Sequence, residues 1–206
     1  MAEVRFWVDP ICPWCWVTAR WITEVAPERD LQLVWKPISL KFKNDTQPDS
    51  PFYDKVVWTL GLLRVMESVR TAEGDGPIES LYLEYGTRIH HDKETLWDEA
   101  EALKAVGLDV AHAAAADDES WDAVVRAGMD EGLALVGADV GTPIIAWEHA
   151  GRTVGAFGPV ITRVPKAPDH LRLWDAFQTV TTLPDFWEIK RTRTEAPDFG
   201  DRPTGH

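Results

Sequence analysis

Two cysteines lie three residues apart near the start of the chain, Cys12 and Cys15, and the 206 residues contain no others. The thiolate is the reactive form of cysteine, and two thiols about one helical turn apart share a face and can reach disulfide geometry. This spacing predicts thiol–disulfide exchange, in which Cys12 attacks as a thiolate and Cys15 resolves the bond that forms.

The residues around the pair predict a strand followed by a helix. Residues 5–8 are apolar enough for a short buried strand, and Pro13 suits the first position of a helix that runs to about residue 26. Apolar residues recur along that helix at spacings of three and four: Trp14, Val17, Trp21 and Val25. Cys12 would then lie at the helix N-terminus, where free N–H groups and the helix dipole stabilise a thiolate. We expect a lowered pKa for Cys12, and a buried Cys15 that stays a thiol.

Two other interpretations of the cysteine pair are weaker. Zinc ribbons also contain CxxC, but tetrahedral zinc needs four ligands. The chain has no second CxxC, and His90 and His91 could contribute only through an accident of the fold. An inert buried pair is the other alternative. We predict redox chemistry and no metal.

The rest of the chain predicts a sheet interrupted by helices. A second strand runs from residue 31 to about residue 39, in which Leu31, Leu33 and Trp35 alternate with Gln32, Val34 and Lys36, and strands return at 142–147 and 153–157. Helical patterns lie between them at about 52–71, 77–90, 94–106 and 117–135, and a terminal helix follows at about 169–190, with Pro184 as a candidate interruption. We therefore predict an α/β fold, a thioredoxin fold whose mixed central sheet is flanked by helices and interrupted by an all-helical domain. The predicted thioredoxin-like domain comprises residues 1–40 and 138–193, the inserted helical domain 41–137, and a flexible tail 194–206.

Thr142 and Pro143 precede the third predicted strand. In thioredoxin-like folds this position holds a cis-proline that faces the cysteine pair, and such bonds are typically functional. We expect Pro143 to keep metal ions off the thiols and the Thr142 backbone to pair with an extended substrate. Trp14 lies between the cysteines and must line the site, where it could stack on a flat substrate.

Four further residues are candidates for the functional site, and for each of them an ordinary structural role is the alternative. Asn44 and Tyr53 lie where the chain enters the helical block, a natural pocket rim, although each could be a loop polar group or a packing aromatic. His90 could contact the substrate or donate a proton, or be a structural histidine. Asp9, just before the cysteines, is better suited to a turn than to proton transfer.

Several segments resemble actinobacterial DsbA-like proteins, in particular the mycothiol-dependent nitroreductases. The matching segments are residues 6–16 (FWVDPICPWCW), 86–90 (GTRIH), 139–143 (DVGTP), 157–160 (FGPV), 173–176 (LWDA) and 190–195 (KRTRTE). The resemblance implies a DsbA-like thioredoxin fold and an active pair at Cys12 and Cys15. It also implies reduction by the low-molecular-weight thiol mycothiol, no covalently bound cofactor, and electron transfer to small electrophiles such as nitroaromatic compounds.

The net charge of the chain excludes some classes of binding partner, and its N-terminal residues predict its cellular compartment. A net charge of −13 argues against a non-specific nucleic-acid binder and against attraction to anionic membranes. The N-terminal residues lack the basic and apolar regions of a signal peptide, so we expect a cytoplasmic protein. The basic residues 190–193 are interpreted as a helix C-terminus whose cations complement the dipole, with an anion or partner contact as the alternative.

Three rival functions stay open from the residues alone. A cytoplasmic protein disulfide oxidoreductase or isomerase would use the same cysteines on protein substrates. Kappa-class glutathione transferases and chromene-carboxylate isomerases share the inserted-helix architecture but place Ser at the position of Cys12, which argues against them. A redox-gated binding module would need no turnover. No Gly-x-Gly-x-x-Gly follows a strand, so a nucleotide cofactor is not indicated.

Overall fold

Four strands form one mixed sheet in this computed structural model, which describes residues 1–204. They are β1 (Ala2–Val8), β2 (Leu31–Pro37), β3 (Ile144–His149) and β4 (Arg152–Phe157). Their order across the sheet is β2-β1-β3-β4. β1 runs parallel to β2 and antiparallel to β3, and β3 and β4 form an antiparallel hairpin. The predicted parallel start and hairpin finish are confirmed.

Helices lie between the strands and after them. They are α1 (Pro13–Val25), α2 (Leu40–Lys43), α3 (Tyr53–Glu73), α4 (Ile78–Thr87), α5 (Glu99–Ala105), α6 (Asp122–Val136) and α7 (Asp169–Thr181). A π-helical turn, Arg88–Asp92, continues α4, and 3₁₀ turns occupy Ala26–Glu28, Val110–Asp117 and Glu119–Trp121. The thioredoxin fold with a helical block between β2 and β3 is confirmed, while the domain limits stay predictions. No helix within residues 1–204 is both long and apolar enough to cross a membrane.

Two predicted helices were too long. The helix predicted at 94–106 begins only at Glu99, because the Asp98 side chain accepts a hydrogen bond from the Ala100 N–H and caps it. The terminal helix ends at Thr181 instead of residue 190, because Pro184 cannot continue a helix and a run of threonines precedes it. The basic residues 190–193 therefore do not form a helix C-terminus, and that interpretation was wrong.

The two faces of the sheet are covered by different helices. Phe6 and Trp7 point to opposite faces because side chains alternate along a strand. Trp7 packs with Met129 of α6, and its indole N–H donates to the Gly128 carbonyl at 2.7 Å. Phe6 packs in the larger core, together with side chains of α1, α3, α4 and α7. α1 is thereby held against the sheet, with Cys12 at its N-terminus.

One glycine allows α4 to approach α1 closely. A Cβ atom on Gly86 would lie 2.2 Å from Cε3 of the Trp16 ring, a distance that no real contact permits. Trp16 is fully buried and directly follows Cys15. The absence of a side chain at Gly86 therefore lets the helical block rest on the helix that carries the cysteines.

The C-terminal segment lies against the π-helical turn. The Phe199 ring packs 5.0 Å from the His90 ring, and Arg202 forms two hydrogen bonds with the Asp92 carboxylate at 2.7 and 2.8 Å. The flexibility predicted for residues 194–206 stays a prediction, and these contacts indicate where the described part of that segment docks.

Candidate active site

Cys12 is the N-cap residue of α1, and Pro13 is the first helical residue. The Cys12 Sγ accepts a hydrogen bond from the Cys15 backbone N–H at 3.4 Å. Both cysteines are free thiols; 6% of Cys12 is exposed and Cys15 is fully buried. Sulfur at an N-cap takes the place of the oxygen that normally satisfies the first free N–H groups of a helix. Cys12 is thus the cysteine that an incoming substrate can reach.

The two thiols differ in their readiness to ionise. The Cys15 side chain donates to Cys12 and, with backbone N–H groups of Cys15 and Trp14, lowers the pKa of Cys12 despite its burial. Burial raises the pKa of Cys15 well above its ordinary value, and the neighbouring Cys12 raises it further. This difference matches an attacking thiolate at Cys12 and a resolving thiol at Cys15.

Thr142 touches both sulfurs, and the Thr142–Pro143 peptide bond is cis as predicted. The Thr142 carbonyl oxygen lies 3.8 Å from the Cys12 Sγ. The Thr142 hydroxyl donates to the Trp7 carbonyl at 3.0 Å, and its oxygen lies 2.6 Å from the Cys15 Sγ. The Thr142 hydroxyl can therefore give its proton either to the Trp7 carbonyl or to the Cys15 sulfur, and its hydrogen bond lowers the pKa of Cys15. The sequence predicted a role for the Thr142 backbone and did not foresee this side-chain contact.

Trp14 lies beside the cysteines at the rim of the site. Its half-buried ring is approached by the Arg193 guanidinium, whose carbon lies 5.1 Å from the ring centroid. Arg193 belongs to the basic stretch that the sequence assigned to a helix end. The sequence predicted an anion or partner contact for this stretch only as an alternative. No local pattern connects residue 193 with residue 14, so the contact with Trp14 could not be predicted.

Asp9 joins the loop between β1 and α1 to α2. Its fully buried carboxylate accepts hydrogen bonds from the Ile11 N–H at 3.0 Å and the Leu40 N–H at 2.7 Å. Burial raises the pKa of Asp9 from 3.8 to about 6, although these N–H groups and the Thr59 hydroxyl oppose the rise. The turn role favoured by the sequence is observed, but the link to Leu40 was not visible from the pattern.

His90 lies beneath the loop that carries the cysteines. Its Nε2 lies 2.9 Å from the Pro10 carbonyl oxygen, and its ring stacks on Trp16 at 5.8 Å between centroids. Burial lowers the pKa of His90 to about 4, so the neutral ring donates from Nε2 to Pro10 at neutral pH. This geometry makes His90 a support of the loop, and its predicted contact with substrate stays a prediction.

Asn44 and Tyr53 lie at the two ends of the connection between α2 and α3. The Asn44 side chain is exposed, and the Tyr53 ring lies under the Lys41 ammonium at 5.3 Å. Within residues 1–204, neither side chain hydrogen-bonds to a cysteine or to Thr142. Their role in substrate binding stays a prediction. The part of the chain that the structure describes contains no group of three or more His, Cys, Asp or Glu residues arranged to hold a metal ion.

Residues 11–191 match the family model Rv2466c-like, described as mycothiol-dependent nitroreductase Rv2466c. The matched range contains both cysteines, the Thr142–Pro143 bond and the helical block. It covers well over half of the chain and therefore shows the family.

Individual relatives are more distant. The chain is 28% identical to the uncharacterized protein Rv2286c of Mycobacterium tuberculosis, over 95% of this chain and 84% of that protein. Among solved structures it is similar to one described as "probable DsbA oxidoreductase SCO1869" from Streptomyces coelicolor, with a TM-score of 0.61, 20% identity, and 95% and 96% of the two chains covered. It is also similar to the cytosolic disulfide reductase DsbM from Pseudomonas aeruginosa, with a TM-score of 0.54, 16% identity, and 86% and 98% covered. At these identities the structural likeness shows the fold.

Proposed function

Because this chain belongs to the Rv2466c-like family and is a thiol–disulfide oxidoreductase, we propose that it is a cytoplasmic reductase that takes electrons from mycothiol. It passes them to small electrophiles such as nitroaromatic compounds. The observation that carries the proposal is the arrangement of Cys12, at a helix N-terminus with a lowered pKa, beside the Thr142–Pro143 bond. A cytoplasmic location is part of the proposal, since a low-molecular-weight thiol pool keeps that compartment reducing.

The oxidised enzyme is reduced in two exchange steps. A mycothiol thiolate attacks the Cys12 sulfur of the Cys12–Cys15 disulfide, forms a mixed disulfide and releases Cys15, which takes up a proton. A second mycothiol thiolate attacks the mycothiol sulfur of that bond, releases the Cys12 thiolate and leaves as mycothiol disulfide. The enzyme gains two electrons, and two mycothiol molecules lose one each.

The reduced enzyme then passes two electrons to the electrophile. For a nitro group, two electrons and two protons give a nitroso group and water, while Cys12 and Cys15 form a disulfide. One proton comes from the Cys15 thiol and the other from solvent. Trp14, half-buried beside Cys12, offers a flat surface on which an aromatic substrate can stack.

The test compares reductants on the oxidised protein. Alkylation of free thiols followed by mass measurement gives the rate of reduction by mycothiol, by glutathione and by a thioredoxin system, with Cys12→Ser as the control. Rapid, selective reduction by mycothiol, followed by turnover of a nitroaromatic compound, would support the proposal.

Other outcomes would contradict it. Rapid reduction by thioredoxin with mycothiol inert would assign the chain to protein disulfides. If the disulfide formed but no reductant acted on it, a binding module that responds to redox state would replace the enzyme.

A further inference from the structure

The Arg193 side chain places a positive charge at the rim of the active site. Its guanidinium carbon is 5.1 Å from the centroid of Trp14, the residue between Pro13 and Cys15. Arg193 is exposed, and Trp14 is half-buried. A guanidinium over an indole ring is attracted by the negative face of the ring, which holds the cation near that position.

The Arg193 guanidinium has no anionic partner within the described residues 1–204. Some other arginines of this acidic chain do, among them Arg29, which pairs with Asp175 at 2.8 Å, and Arg202, which pairs with Asp92 at 2.7 Å. A guanidinium carries five N–H donors and binds carboxylates in a bidentate way when one is present. In a chain of net charge −13, an arginine that has no anionic partner within residues 1–204 and lies over Trp14, the residue between Pro13 and Cys15, is a candidate anion contact.

We propose that Arg193 determines substrate specificity by favouring electrophiles that carry a carboxylate or a similar anionic group near the bond that Cys12 attacks. This inference deepens the proposed function and rests on it. The net charge of −13 repels anionic molecules at long range. The positive charge of Arg193 would offset this repulsion at the active site for an anionic substrate, whereas a neutral substrate would gain little from it. Stacking on Trp14 limits the orientations of the guanidinium, so less entropy is lost when it binds an anion.

The reaction in which this preference can be measured is the oxidation of the reduced enzyme by a small disulfide. The Cys12 thiolate attacks one sulfur of the disulfide, which forms a mixed disulfide and releases one substrate thiolate. Cys15 loses its proton and attacks the Cys12 sulfur, which forms the Cys12–Cys15 bond and releases the second thiolate. The enzyme loses two electrons and the substrate gains two.

Three disulfides of similar size separate charge from reactivity. Dithiodipropionate carries two negative charges, hydroxyethyl disulfide none and cystamine two positive charges. Rapid mixing with reduced enzyme, acid quenching and mass measurement give the rate constant for each. The variants are Arg193→Gln, which removes the charge, and Arg193→Lys, which keeps the charge and loses the planar fork. Arg191→Gln is the matched control, because Arg191 is also exposed and, within residues 1–204, the cation over the Trp14 ring is that of Arg193.

We expect Arg193→Gln to lower the rate constant for dithiodipropionate by about twofold to fivefold, the range of an exposed ion pair. The rate for hydroxyethyl disulfide should change by less than about twofold, and that for cystamine should rise. The rate constant of Arg193→Lys for dithiodipropionate should lie between those of the wild type and Arg193→Gln. The rate constants of Arg191→Gln for all three disulfides should match those of the wild type. High salt should shrink the difference between the anionic and neutral substrates in the wild type.

Two results would overturn the inference while leaving the proposed function intact. One is an equal fall for all three disulfides in Arg193→Gln, which would make the contact with Trp14 purely structural. The other is no charge dependence in an active wild type. If the reduced wild type reacted with none of the disulfides, the proposed function would fail first and the inference with it.

Discussion

At the scale of single residues, the site depends on unequal environments for two identical side chains. Cys12 caps a helix and accepts a backbone hydrogen bond, while Cys15 is fully buried with Thr142 against its sulfur. Residue spacing predicts the first environment, because an N-cap is a local feature of the chain. The second needs Thr142, 127 residues away from Cys15, to fold back onto it. Sequence patterns identify Thr142 as a neighbour of the site and predict a role for its backbone, but they do not predict a role for its hydroxyl.

The Thr142 hydroxyl should speed the step in which Cys15 resolves a mixed disulfide. Its oxygen lies 2.6 Å from the Cys15 Sγ, and by rotating away from the Trp7 carbonyl the hydroxyl can donate to the Cys15 thiolate, which lowers the Cys15 pKa. Thr142→Val keeps the shape and removes this partner, so we expect the mixed disulfide on Cys12 to persist about tenfold longer. Quenched-flow mass measurement gives its lifetime. Thr142→Ser, which keeps the hydroxyl, should restore it, and an unchanged lifetime in Thr142→Val would remove the hydroxyl from the mechanism.

At the scale of elements, Asp9 connects the loop between β1 and α1 to the start of α2. A buried carboxylate that accepts from two backbone N–H groups fixes both segments, and its burial raises its pKa to about 6. The folded protein therefore binds a proton at Asp9 more tightly than the unfolded chain does. This contribution to the free energy of unfolding is fully present below the ordinary pKa of 3.8 and is lost as the pH rises through about 6. Burial of His90 has the opposite effect, since stability falls as the pH drops from 6.5 toward 4.

Comparison of the wild type with Asp9→Asn isolates the Asp9 contribution, because His90 is common to both. The free energy of unfolding of the wild type relative to the variant should fall by about 2 kcal/mol between about pH 4.5 and about pH 7.5. Urea titrations across that range measure it. Parallel pH profiles for the two proteins would mean that Asp9 does not titrate in this window.

The contact between α1 and α4 depends on the missing side chain at Gly86. A Cβ there would overlap Trp16, so Gly86→Ala should lower the free energy of unfolding by about 1–3 kcal/mol, the usual effect of overpacking a core. The matched control is Gly76→Ala, where a Cβ would meet no atom within 4 Å. Urea midpoints of both variants provide the measurement. Equal midpoints would show that α4 moves away from α1 without cost.

Most elements could be predicted because their periodicity is local, and the errors have local causes as well. The strands and α1 have clear alternation or helical spacing. The ends of α5 and α7 were misplaced because the cap at Asp98 and the break near Pro184 outweigh the apolar pattern around them. The contact of Asp9 with Leu40 and the position of Arg193 beside Trp14 could not be predicted, since each depends on how distant segments pack.

At the scale of the whole molecule, the helical block and the C-terminal segment meet at the turn beneath the cysteines. His90 supports the Pro10 carbonyl, Phe199 packs on His90, and Arg202 pairs with Asp92. His90 therefore connects Phe199 of the C-terminal segment to Pro10 in the loop between β1 and α1.

Removal of the Phe199 ring should loosen the π-helical turn. Phe199→Ala deletes a half-buried ring that contacts His90 and His91, so we expect a loss of about 1–2 kcal/mol and faster amide exchange in residues 88–92. Hydrogen-exchange mass spectrometry measures this locally. Phe52→Ala, at a ring that is 64% exposed, is the control and should leave exchange in that turn unchanged. Wild-type exchange in Phe199→Ala would indicate that the C-terminal segment is detached in solution, as its composition first suggested.

The central claim is that Cys12 attacks and Cys15 resolves. Reduced wild type, Cys15→Ser and Cys12→Ser are each treated with a small disulfide, and the bonded residues are identified by peptide mass. We predict a Cys12–Cys15 disulfide in the wild type, a stable adduct on Cys12 in Cys15→Ser, and almost no reaction in Cys12→Ser, because Cys15 is buried with a raised pKa. An adduct that forms on Cys15 at the wild-type rate would contradict the assignment.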